Sequence, residues 1–242
     1  MKYFAINSSL NEKILGKIPQ VKEYIHHCDI EDEPQFIDKF IFEKIEINPI
    51  LSNVILYSNA KQSDFIDTFG NVGFGFGYLV SNKFKEILNP FNVYGIQFFE
   101  TYIFQKNQKF DNYWQTNIYD FPYHFIDFKK TTIFIKDSMK RKIISGSLEI
   151  HNIDDLYIKI DSLKFPESIS ITNVSFNTNM NLDFFSLRFF ENGGYRGIVS
   201  ERLKNEIEKN EITGIEFRPI EIPYQDWSIR DGPRDKIYGR SW

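Results

Sequence analysis

"IVSERLKNEIEKNEITGIEF", residues 198–217, is closely matched by "LVSNKFKEILNPFNVYGIQF", residues 79–98. The two stretches align without a gap, and six of the nineteen positions in 199–217 are identical to their partners in 80–98. Chance would give about one identity at average residue usage. The agreement extends upstream, so the repeats cover about 72–103 and 191–222. We predict that the fold uses one supersecondary unit twice, with a binding site formed by both copies as the alternative.

The second copy has the residues of a capped helix that leads into a strand. Ser200 precedes a run of good helix formers and can accept a hydrogen bond from a free amide of the first turn. Leu203 and Ile207 are four residues apart and form one apolar stripe. Gly214 then ends the local structure, and Phe217 belongs to an alternating strand pattern. The unit predicted is therefore strand, helix, glycine turn and strand.

The first copy repeats these features residue by residue. Ser81 stands at the capping position, Phe84 and Leu88 at the apolar pair, and Gly95 at the turn. We interpret these positions as determinants of the fold rather than of binding. The full set is Ser81, Gly95, Ser200, Leu203, Gly214 and Phe217.

The composition favours sheet. The chain has 25 Phe and 13 Tyr and is 17% aromatic, and aromatic and β-branched residues fit pleated surfaces. We predict an α+β fold, mainly antiparallel sheet with a few short helices. No low-complexity linker interrupts the chain, so residues 1–242 form one domain, which ends in a C-terminal arm at 223–242.

Short stretches bounded by turn residues mark the predicted strands. They are "KYFAI" (2–6), "SNVILYS" (52–58), "YWQTNIYDF" (113–121), "TTIFIKD" (131–137), "GSLEIHNI" (146–153), "LYIKIDSL" (156–163), "SISITNVSF" (168–176) and "LDFFSLRFF" (182–190). "GNVGFGFGYLVS" (70–81) alternates glycine with aromatics and predicts a strand with one aromatic face. "EPQFIDKFIFEKIEI" (33–47) has helical spacing. The arm has too little periodicity for a helix.

Charge and cysteine content narrow the class of protein. The net charge of −4 argues against a nucleic-acid partner, since such proteins usually carry a basic patch. The single Cys28 fits a reducing compartment. The N-terminus has no apolar run of signal-peptide length, and no stretch reaches the ~20 apolar residues of a membrane helix. We therefore expect a cytoplasmic protein without a membrane partner.

No motif predicts catalysis. "IHHCD" (25–29) is the one His/Cys cluster, but adjacent ligands diverge on a strand or a helix, and metal sites need convergent spacing. A thiol–imidazole nucleophile needs a base within hydrogen-bond reach, which sequence neighbours seldom supply. We predict no metal, no cofactor and no enzymatic activity. An enzyme built on unrecognised carboxylates remains one alternative.

Three surface features are candidates for binding. The first is "CDIEDEP" (28–34), with four carboxylates. The second is the acidic set that accompanies the repeated helix: Glu201, Glu206, Glu208, Glu211 and Glu216. The third is the arm, where aromatics alternate with arginines, as at interface anchors. Ordinary solvated faces, and arm aromatics packed on the domain's own core, are the alternatives.

Residues 184–222 resemble a family of bacterial polymorphic-toxin immunity proteins. The family pattern is a Phe-Arg-like strand and a glycine turn, then (I/V)-V-S-E-x-L-K, an acidic helix, and T-G-(I/L)-x-F-x-P. The matching residues are Val199, Ser200, Glu201, Leu203, Lys204, Gly214, Ile215, Phe217 and Pro219. "FIDFKKTTIF" (125–134) is similar to the family's shorter central element, D-x-x-K-S-x-F. Immunity protein family forty-three is similar at its C-terminal end.

The resemblance implies a binding protein that neutralises a cognate toxin domain in the cytoplasm by occluding its active site. The candidate toxin contacts are Asp29, Glu31, Asp32, Glu33, Glu208, Glu211, Trp227, Arg230, Tyr238 and Trp242. A carbohydrate- or peptide-binding module that uses the aromatic arm is a further alternative.

Overall fold

The strands of this computed structural model, which describes residues 1–140 and 142–240, form three sheets. In chain order the strands are β1 Tyr3–Ser8, β2 Val21–Ile25, β3 Asn53–Leu56, β4 Phe65–Ile66, β5 Leu79–Ser81, β6 Ile96–Gln105, β7 Gln108–Ile118, β8 Thr132–Asp137, β9 Lys142–Ile143, β10 Glu167–Thr172, β11 Phe184–Phe189, β12 Gly194–Ser200 and β13 Ile215–Pro219.

The helices are short and lie between or after the strands. They are α1 Glu12–Leu15, α2 Asn82–Ile87, α3 Ile153–Ser162, α4 Phe190–Gly193, α5 Glu201–Lys209, α6 Tyr224–Ser228 and α7 Pro233–Tyr238, with single 3-10 turns at Ile37–Lys39 and Tyr123–Phe125. The sheet orders are β2-β3-β6-β7-β5-β4, β11-β12-β1-β13 and β10-β8-β9. Every pairing between named strands is antiparallel except β3 with β6. The predicted α+β class, mainly antiparallel with short helices, is confirmed.

The two repeats build the same local topology in different sheets. The first is β4-β5-α2-β6 and the second is β11-β12-α5-β13, and in each an antiparallel strand separates the last two strands. That middle strand is β7 in the first repeat, where it follows directly in the chain. In the second it is β1, the N-terminal strand. The predicted reuse of one supersecondary unit is therefore present, and the second unit is completed by the opposite end of the chain.

The capping residues act as the sequence predicts. Ser81 Oγ accepts from Phe84 N at 3.2 Å, and Ser200 Oγ accepts from Leu203 N at 3.2 Å. Each bond satisfies an amide that has no partner within the helix. The helices also bury the predicted apolar pairs, since Phe84, Leu88, Leu203 and Ile207 are at most 4% exposed.

The backbone conformation and the close packing at the two turns require glycine. Gly95 and Gly214 have φ of 68° and 93°, in the region that side chains disfavour. A Cβ on Gly214 would lie 2.1 Å from Phe65 O, and one on Gly95 would lie 2.2 Å from Asp120 O. Both turns therefore sit directly against a neighbouring backbone, which no other residue would allow without movement.

Two aspartates join the repeats to each other. Asp64 accepts from the Ser81 hydroxyl at 2.7 Å and from Thr213 N, in the other repeat, at 2.9 Å. Asp183 accepts from the Ser200 hydroxyl at 2.6 Å and from Asn92 N, again in the other repeat, at 2.9 Å. Each aspartate precedes its serine by 17 residues. Each repeat therefore has an aspartate that binds a backbone N–H of the other repeat, and these two equivalent bonds hold the repeats together.

Between the repeats lies the largest apolar core. Ala5 and Val199 from the four-stranded sheet and Val80 from the six-stranded sheet are fully buried in one cluster. Phe84 meets Phe184 edge to face, with ring centroids 6.1 Å apart. Burial of such a side chain contributes about 1.5–3 kcal/mol, so the packing of α2 and α5 against both sheets stabilises the repeat pair.

Of residues 156–163, which were predicted as a strand, residues 156–162 belong to the helix α3 and Leu163 follows it as the C-cap. Asn152 Oδ1 accepts from Asp155 N at 2.9 Å and caps the helix. Asp154 and Asp155 lie in its first turn, where carboxylates favour the positive end of the helix dipole. Leu156 is fully buried, whereas Ile158 is 69% exposed. The N-terminal signals outweigh the alternation that suggested a strand.

Three other sequence predictions are also wrong. Residues 33–47 contain only the 3-10 turn Ile37–Lys39, because Phe42 has φ of 59° and breaks the helical path. Of residues 70–81, only Leu79–Ser81 is a strand, whereas residues 72–76 form turns, with positive φ at Gly73 and Gly75. Residues 146–150 are irregular and make a single ladder-like bond, from Leu148 N to Ile133 O at 2.8 Å.

The C-terminal arm folds as two short helices, α6 and α7, although the sequence predicted none. Pro233 stands at the first position of α7, where its fixed φ suits a helix and its missing N–H costs nothing. The arm packs on β13: Arg234 binds Glu216, and Tyr238 binds the backbone of Phe217. Tertiary contacts, rather than periodicity, therefore stabilise these helices.

Candidate functional site

The acidic loop, residues 28–34, is shaped by its own carboxylates. Asp29 Oδ1 accepts from Glu31 N at 2.9 Å and from Asp32 N at 3.3 Å. Glu33 accepts from Gln35 N at 2.9 Å. Within the residues that the structure describes, the side chains of Glu31 and Asp32 are exposed and make no hydrogen bond or ion pair. Two carboxylates therefore fix the loop, and two remain free for a partner.

The acids of the repeated helix are less available than the sequence suggested. Glu208 pairs with Lys204 at 2.6 Å, one helical turn away, and Glu206 pairs with Lys209 at 3.3 Å. Glu216 is only 2% exposed and lies inside the molecule, so it does not belong to an acidic surface. Glu211 is exposed and adopts φ of 52° just after α5. The charge that this helix presents is therefore partly neutralised.

The arm supplies few accessible contacts. Trp227 is 1% exposed, so its place among the candidate contacts is wrong. Tyr238 is half-buried, and its hydroxyl accepts from Phe217 N at 2.8 Å. The Arg230 side chain is 82% exposed. Trp242 lies outside the described residues. The arm's aromatics pack mainly on the domain itself, which was the alternative interpretation.

A cleft that the sequence did not predict lies between the two repeats. Three adjoining cavities of about 180, 180 and 360 Å³ all include Ser8 and Asp67 in their walls, and the two smaller ones also include Arg196. We call this the Arg196 cleft. Ser8 ends β1, Asp67 follows β4, and Arg196 lies on β12, so the cleft forms where elements of both repeats meet.

Several polar groups in the cleft lack partners. Arg196 is partly buried and makes no hydrogen bond or ion pair with any described residue. Asn7 Oδ1 and Thr68 Oγ1 are buried and have no hydrogen-bond partner either, although both residues line the cleft. Buried polar atoms are usually paired, so the walls of the cleft contain two exceptions, both without accessible surface.

The charge of Arg196 acts on its surroundings. Burial lowers the pKa of Arg218, and the nearby Arg196 guanidinium lowers it further, while Glu191 opposes both effects. Glu191 holds the Arg218 guanidinium in an ion pair at 2.5 Å. The positive charge of Arg218 is therefore neutralised, whereas that of Arg196 is not.

The histidines and the cysteine do not converge. His26 Nδ1 lies 2.8 Å from Ser52 Oγ, and His27 Nε2 lies 2.6 Å from Asn53 Oδ1. Burial and the neighbouring Glu33 and Asp29 raise the pKa of the Cys28 thiol, which disfavours the reactive thiolate. Among residues 1–140 and 142–240, no group of three His, Cys, Asp or Glu side chains could hold a metal ion.

Comparisons with known proteins add no relative: no protein-family model and no curated protein matches the chain. In the part of the chain that the structure describes, no helix is long and apolar enough to cross a membrane.

One signal in the sequence could have revealed the cleft. The ungapped alignment of the repeats continues upstream to Asp64 and Asp183, and it pairs Arg196 with Gly77. An arginine opposite a glycine introduces a charged side chain at this position of the second repeat. It marks the position where the second unit departs from the first.

Proposed function

We propose that this protein is an immunity protein, which binds a cognate toxin domain in the cytoplasm and occludes the toxin's active site. The observation that carries the proposal is the acidic loop, where Asp29 and Glu33 hold the backbone and leave Glu31 and Asp32 unpaired. The resemblance of residues 184–222 to polymorphic-toxin immunity proteins supports the same function.

The physical chemistry of the loop suits recognition of a basic protein surface. Unpaired carboxylates attract a basic partner over several ångströms and accelerate association. A loop that is already fixed by its own hydrogen bonds loses little entropy when it binds. The partner is therefore a toxin domain with a basic surface beside its active site, and binding requires no catalysis, metal or cofactor from this chain.

The test is co-expression with a candidate toxin domain, and a toxin gene adjacent to this one would be the first choice. The wild-type protein should restore growth and elute with the toxin as one complex. The variant Glu31→Lys/Asp32→Lys should slow association at least about tenfold, while its thermal unfolding stays unchanged because both side chains are exposed and unpaired. Its matched control is Glu149→Lys/Asp161→Lys, which makes the same charge change at exposed positions.

The possible outcomes distinguish the proposed function from the proposed role of the acidic loop. If the wild-type protein neither restores growth nor forms a complex, the proposed function is wrong. If it does both and the two double variants weaken binding equally, the function stands, but net charge rather than the acidic loop is responsible.

A further inference from the structure

The glycine–aromatic stretch "GNVGFGFGY", residues 70–78, builds one wall of a pocket near the acidic loop. Gly73 and Gly75 adopt φ of 82° and 47°, so the stretch turns back on itself. Gly70 N donates to Gly75 O at 2.8 Å, and Gln115 Nε2 donates to Gly73 O at 2.5 Å. Hydrogen bonds therefore fix the shape of this wall before any partner binds.

The pocket has apolar walls and a carboxylate. Residues of three segments, 37–42, 74–77 and 116–118, enclose a cavity of about 140 Å³. The aromatic side chains in its walls are Phe40, Phe42, Phe74 and Phe76. Asp38 supplies the carboxylate, and we call this cavity the Asp38 pocket.

One oxygen of the Asp38 carboxylate is unpaired. Oδ2 accepts from Gly73 N at 2.6 Å. Oδ1 lies beside Gly75, where an added Cβ would be 3.4 Å away, and it makes no hydrogen bond or ion pair with any described residue. Burial raises the pKa of Asp38, and the hydrogen bond from Gly73 opposes this effect. The pocket therefore holds a partly desolvated carboxylate with a free acceptor.

The nearest cations of the chain are engaged elsewhere. The charges of His26 and Lys39 also lower the pKa of Asp38, but neither side chain bonds to it. His26 Nδ1 lies 2.8 Å from Ser52 Oγ, and Lys39 Nζ donates to Glu31 O at 2.6 Å. The second bond also joins the pocket to the acidic loop, since Lys39 directly follows Asp38.

Exposed apolar side chains lie on the segments that form the pocket. Ile41, in its wall, is 60% exposed, and Val72, beside Gly73, is 49% exposed. Phe69 is also exposed, and its ring centroid lies 5.8 Å from that of Phe76. Apolar contacts around a central anchor exclude water from it in protein interfaces. The surroundings of the pocket therefore suit a protein partner.

We propose that the Asp38 pocket binds an arginine side chain of the toxin domain, with the guanidinium paired to Asp38 and the methylene stem against the phenylalanine rings. The toxin as the source of this side chain rests on the proposed function. The chemistry of the ligand rests on the pocket alone.

Size and charge favour arginine over other occupants. A cavity of roughly 150 Å³ holds a benzene-sized group, and an arginine side chain has about seven non-hydrogen atoms. An apolar occupant would bury the carboxylate without a partner, which is costly. A bound water needs two to four polar partners, which apolar walls do not supply. A guanidinium is more weakly hydrated than an ammonium, so it enters such a pocket at a smaller cost than lysine does.

The first test uses n-propylguanidinium, an analogue of the arginine side chain, on uniformly ¹⁵N-labelled full-length protein. Amide shifts of Gly73, Gly75 and Phe76 should saturate with a Kd on the order of 10 mM. n-Propylurea has nearly the same shape without the charge and should bind at least about tenfold more weakly. n-Butylammonium, the analogue of lysine, should also bind more weakly than n-propylguanidinium.

A matched pair of variants isolates the carboxylate. Asp38→Asn should bind n-propylguanidinium and n-propylurea equally, whereas Asp161→Asn, at an exposed aspartate of α3, should keep the preference of the wild type. Thermal unfolding establishes that each variant is folded. If Asp38→Asn does not fold, the comparison of the three probes on the wild-type protein still decides.

The second test measures the complex with the toxin domain. Asp38→Asn should dissociate at least about tenfold faster than the wild type, because a desolvated ion pair is broken, while its association rate changes less than about threefold. The variant Glu31→Lys/Asp32→Lys should instead slow association. Opposite kinetic effects at neighbouring sites would distinguish an anchoring pocket from a steering loop.

The outcomes for the pocket and for the function are separate. The pocket proposal is overturned if the shifts do not saturate, if n-propylurea or n-butylammonium binds as tightly as n-propylguanidinium, or if Asp38→Asn keeps the preference. It is also overturned if the toxin complex of Asp38→Asn dissociates at the wild-type rate. If no toxin complex forms while the probes behave as expected, the proposed function is wrong and the cation pocket stands.

Discussion

Asp183 binds Ser200 as Asp64 binds Ser81, and each carboxylate also accepts a backbone N–H from the opposite repeat. The two differ in one partner. Asp183 also binds Arg202, with Nε at 2.5 Å, whereas Lys83 stands at the equivalent position beside Asp64. The same contact between the repeats thus occurs twice, and only the one at Asp183 includes a charged partner, Arg202.

Replacement of Asp183 should change stability in a pH-dependent way. Burial raises the pKa of Asp183, but hydrogen bonds from Arg202, Ser200 and Asn92 outweigh burial and leave the pKa lowered. Since the folded pKa is below the unfolded value of about 3.9, this stability is present above that pH and is lost as pH falls through the folded pKa. Asp183→Asn should lower the free energy of unfolding at pH 7 by about 3 kcal/mol.

Asp64→Asn is the matched control for that change. Ser81 donates to Asp64 Oδ1 and Thr213 donates to Oδ2, so asparagine keeps an acceptor for only one of them. Since no ion pair is lost, we expect a smaller loss of about 1–2 kcal/mol. Urea unfolding from pH 7 to pH 2 measures both variants. Asp183→Asn should lose less stability than the wild type as the pH falls below about 4. Parallel acid profiles for Asp183→Asn and the wild type would contradict the assignment.

The turn glycines should tolerate no side chain. Gly95→Ala and Gly214→Ala place a Cβ 2.2 and 2.1 Å from a backbone oxygen, at φ of 68° and 93°. Each should cost about 3 kcal/mol or more, because both the backbone and its neighbour must move. Thermal unfolding checks this. Gly146→Ala is the control and should change stability by less than about 0.5 kcal/mol, since nothing lies within 4 Å of its Cβ.

The buried ion pair between Arg234 and Glu216 should contribute to holding the C-terminal arm on the domain. Arg234 and Glu216 are 3% and 2% exposed. Arg234→Met leaves the carboxylate buried without its cation and should cost about 3–5 kcal/mol. Glu216→Gln added to that variant imitates Gln97 of the first repeat and should recover about half of the loss. Equal stability of the single and double variants, measured by urea unfolding, would show that the pair does not hold the arm.

Buried tyrosines, Tyr3 and Tyr238 among them, should make the protein sensitive to alkali. Burial, then the charge of Asp183, raises the pKa of Tyr3 to about 12. Burial likewise raises the pKa of Tyr238 to about 12, against the hydrogen bond from Phe217. Unfolded tyrosines ionise near pH 10, so stability is full below about pH 10 and falls as the pH rises towards 12.

Phenylalanine at each position separates the two tyrosines. The Tyr3 hydroxyl is buried without a hydrogen-bond partner among the described residues, so Tyr3→Phe should keep or raise stability at pH 7. Tyr238→Phe loses the bond from Phe217 N and should cost about 1 kcal/mol. Both variants should weaken the pH dependence between 10 and 12. Absorbance at the phenolate band during unfolding titrations measures these effects, and an unchanged alkaline profile in both would refute the assignment.

Local chemistry explains which parts of the fold were predictable. The caps at Ser81 and Ser200 and the turns at Gly95 and Gly214 depend on residues within a few positions, so the sequence pattern contains the whole cause. Residues 156–163 were misassigned because an alternating run was weighed without the Asn152 cap before it. The acidic loop was predicted as a surface, and its free carboxylates agree, but the mutual bonds that shape it were not foreseen.

The sequence alone thus determined that one capped strand–helix–strand unit occurs twice, since periodicity, caps and turn residues act over short range. Tertiary structure alone decided what joins the units. The N-terminal strand enters the second repeat, Asp64 and Asp183 reach across to the opposite loops, and the arm buries Trp227 and Arg234. The same tertiary contacts leave Arg196 without a partner among the described residues. Each depends on residues far apart in the sequence, which only the packed core brings within hydrogen-bond distance.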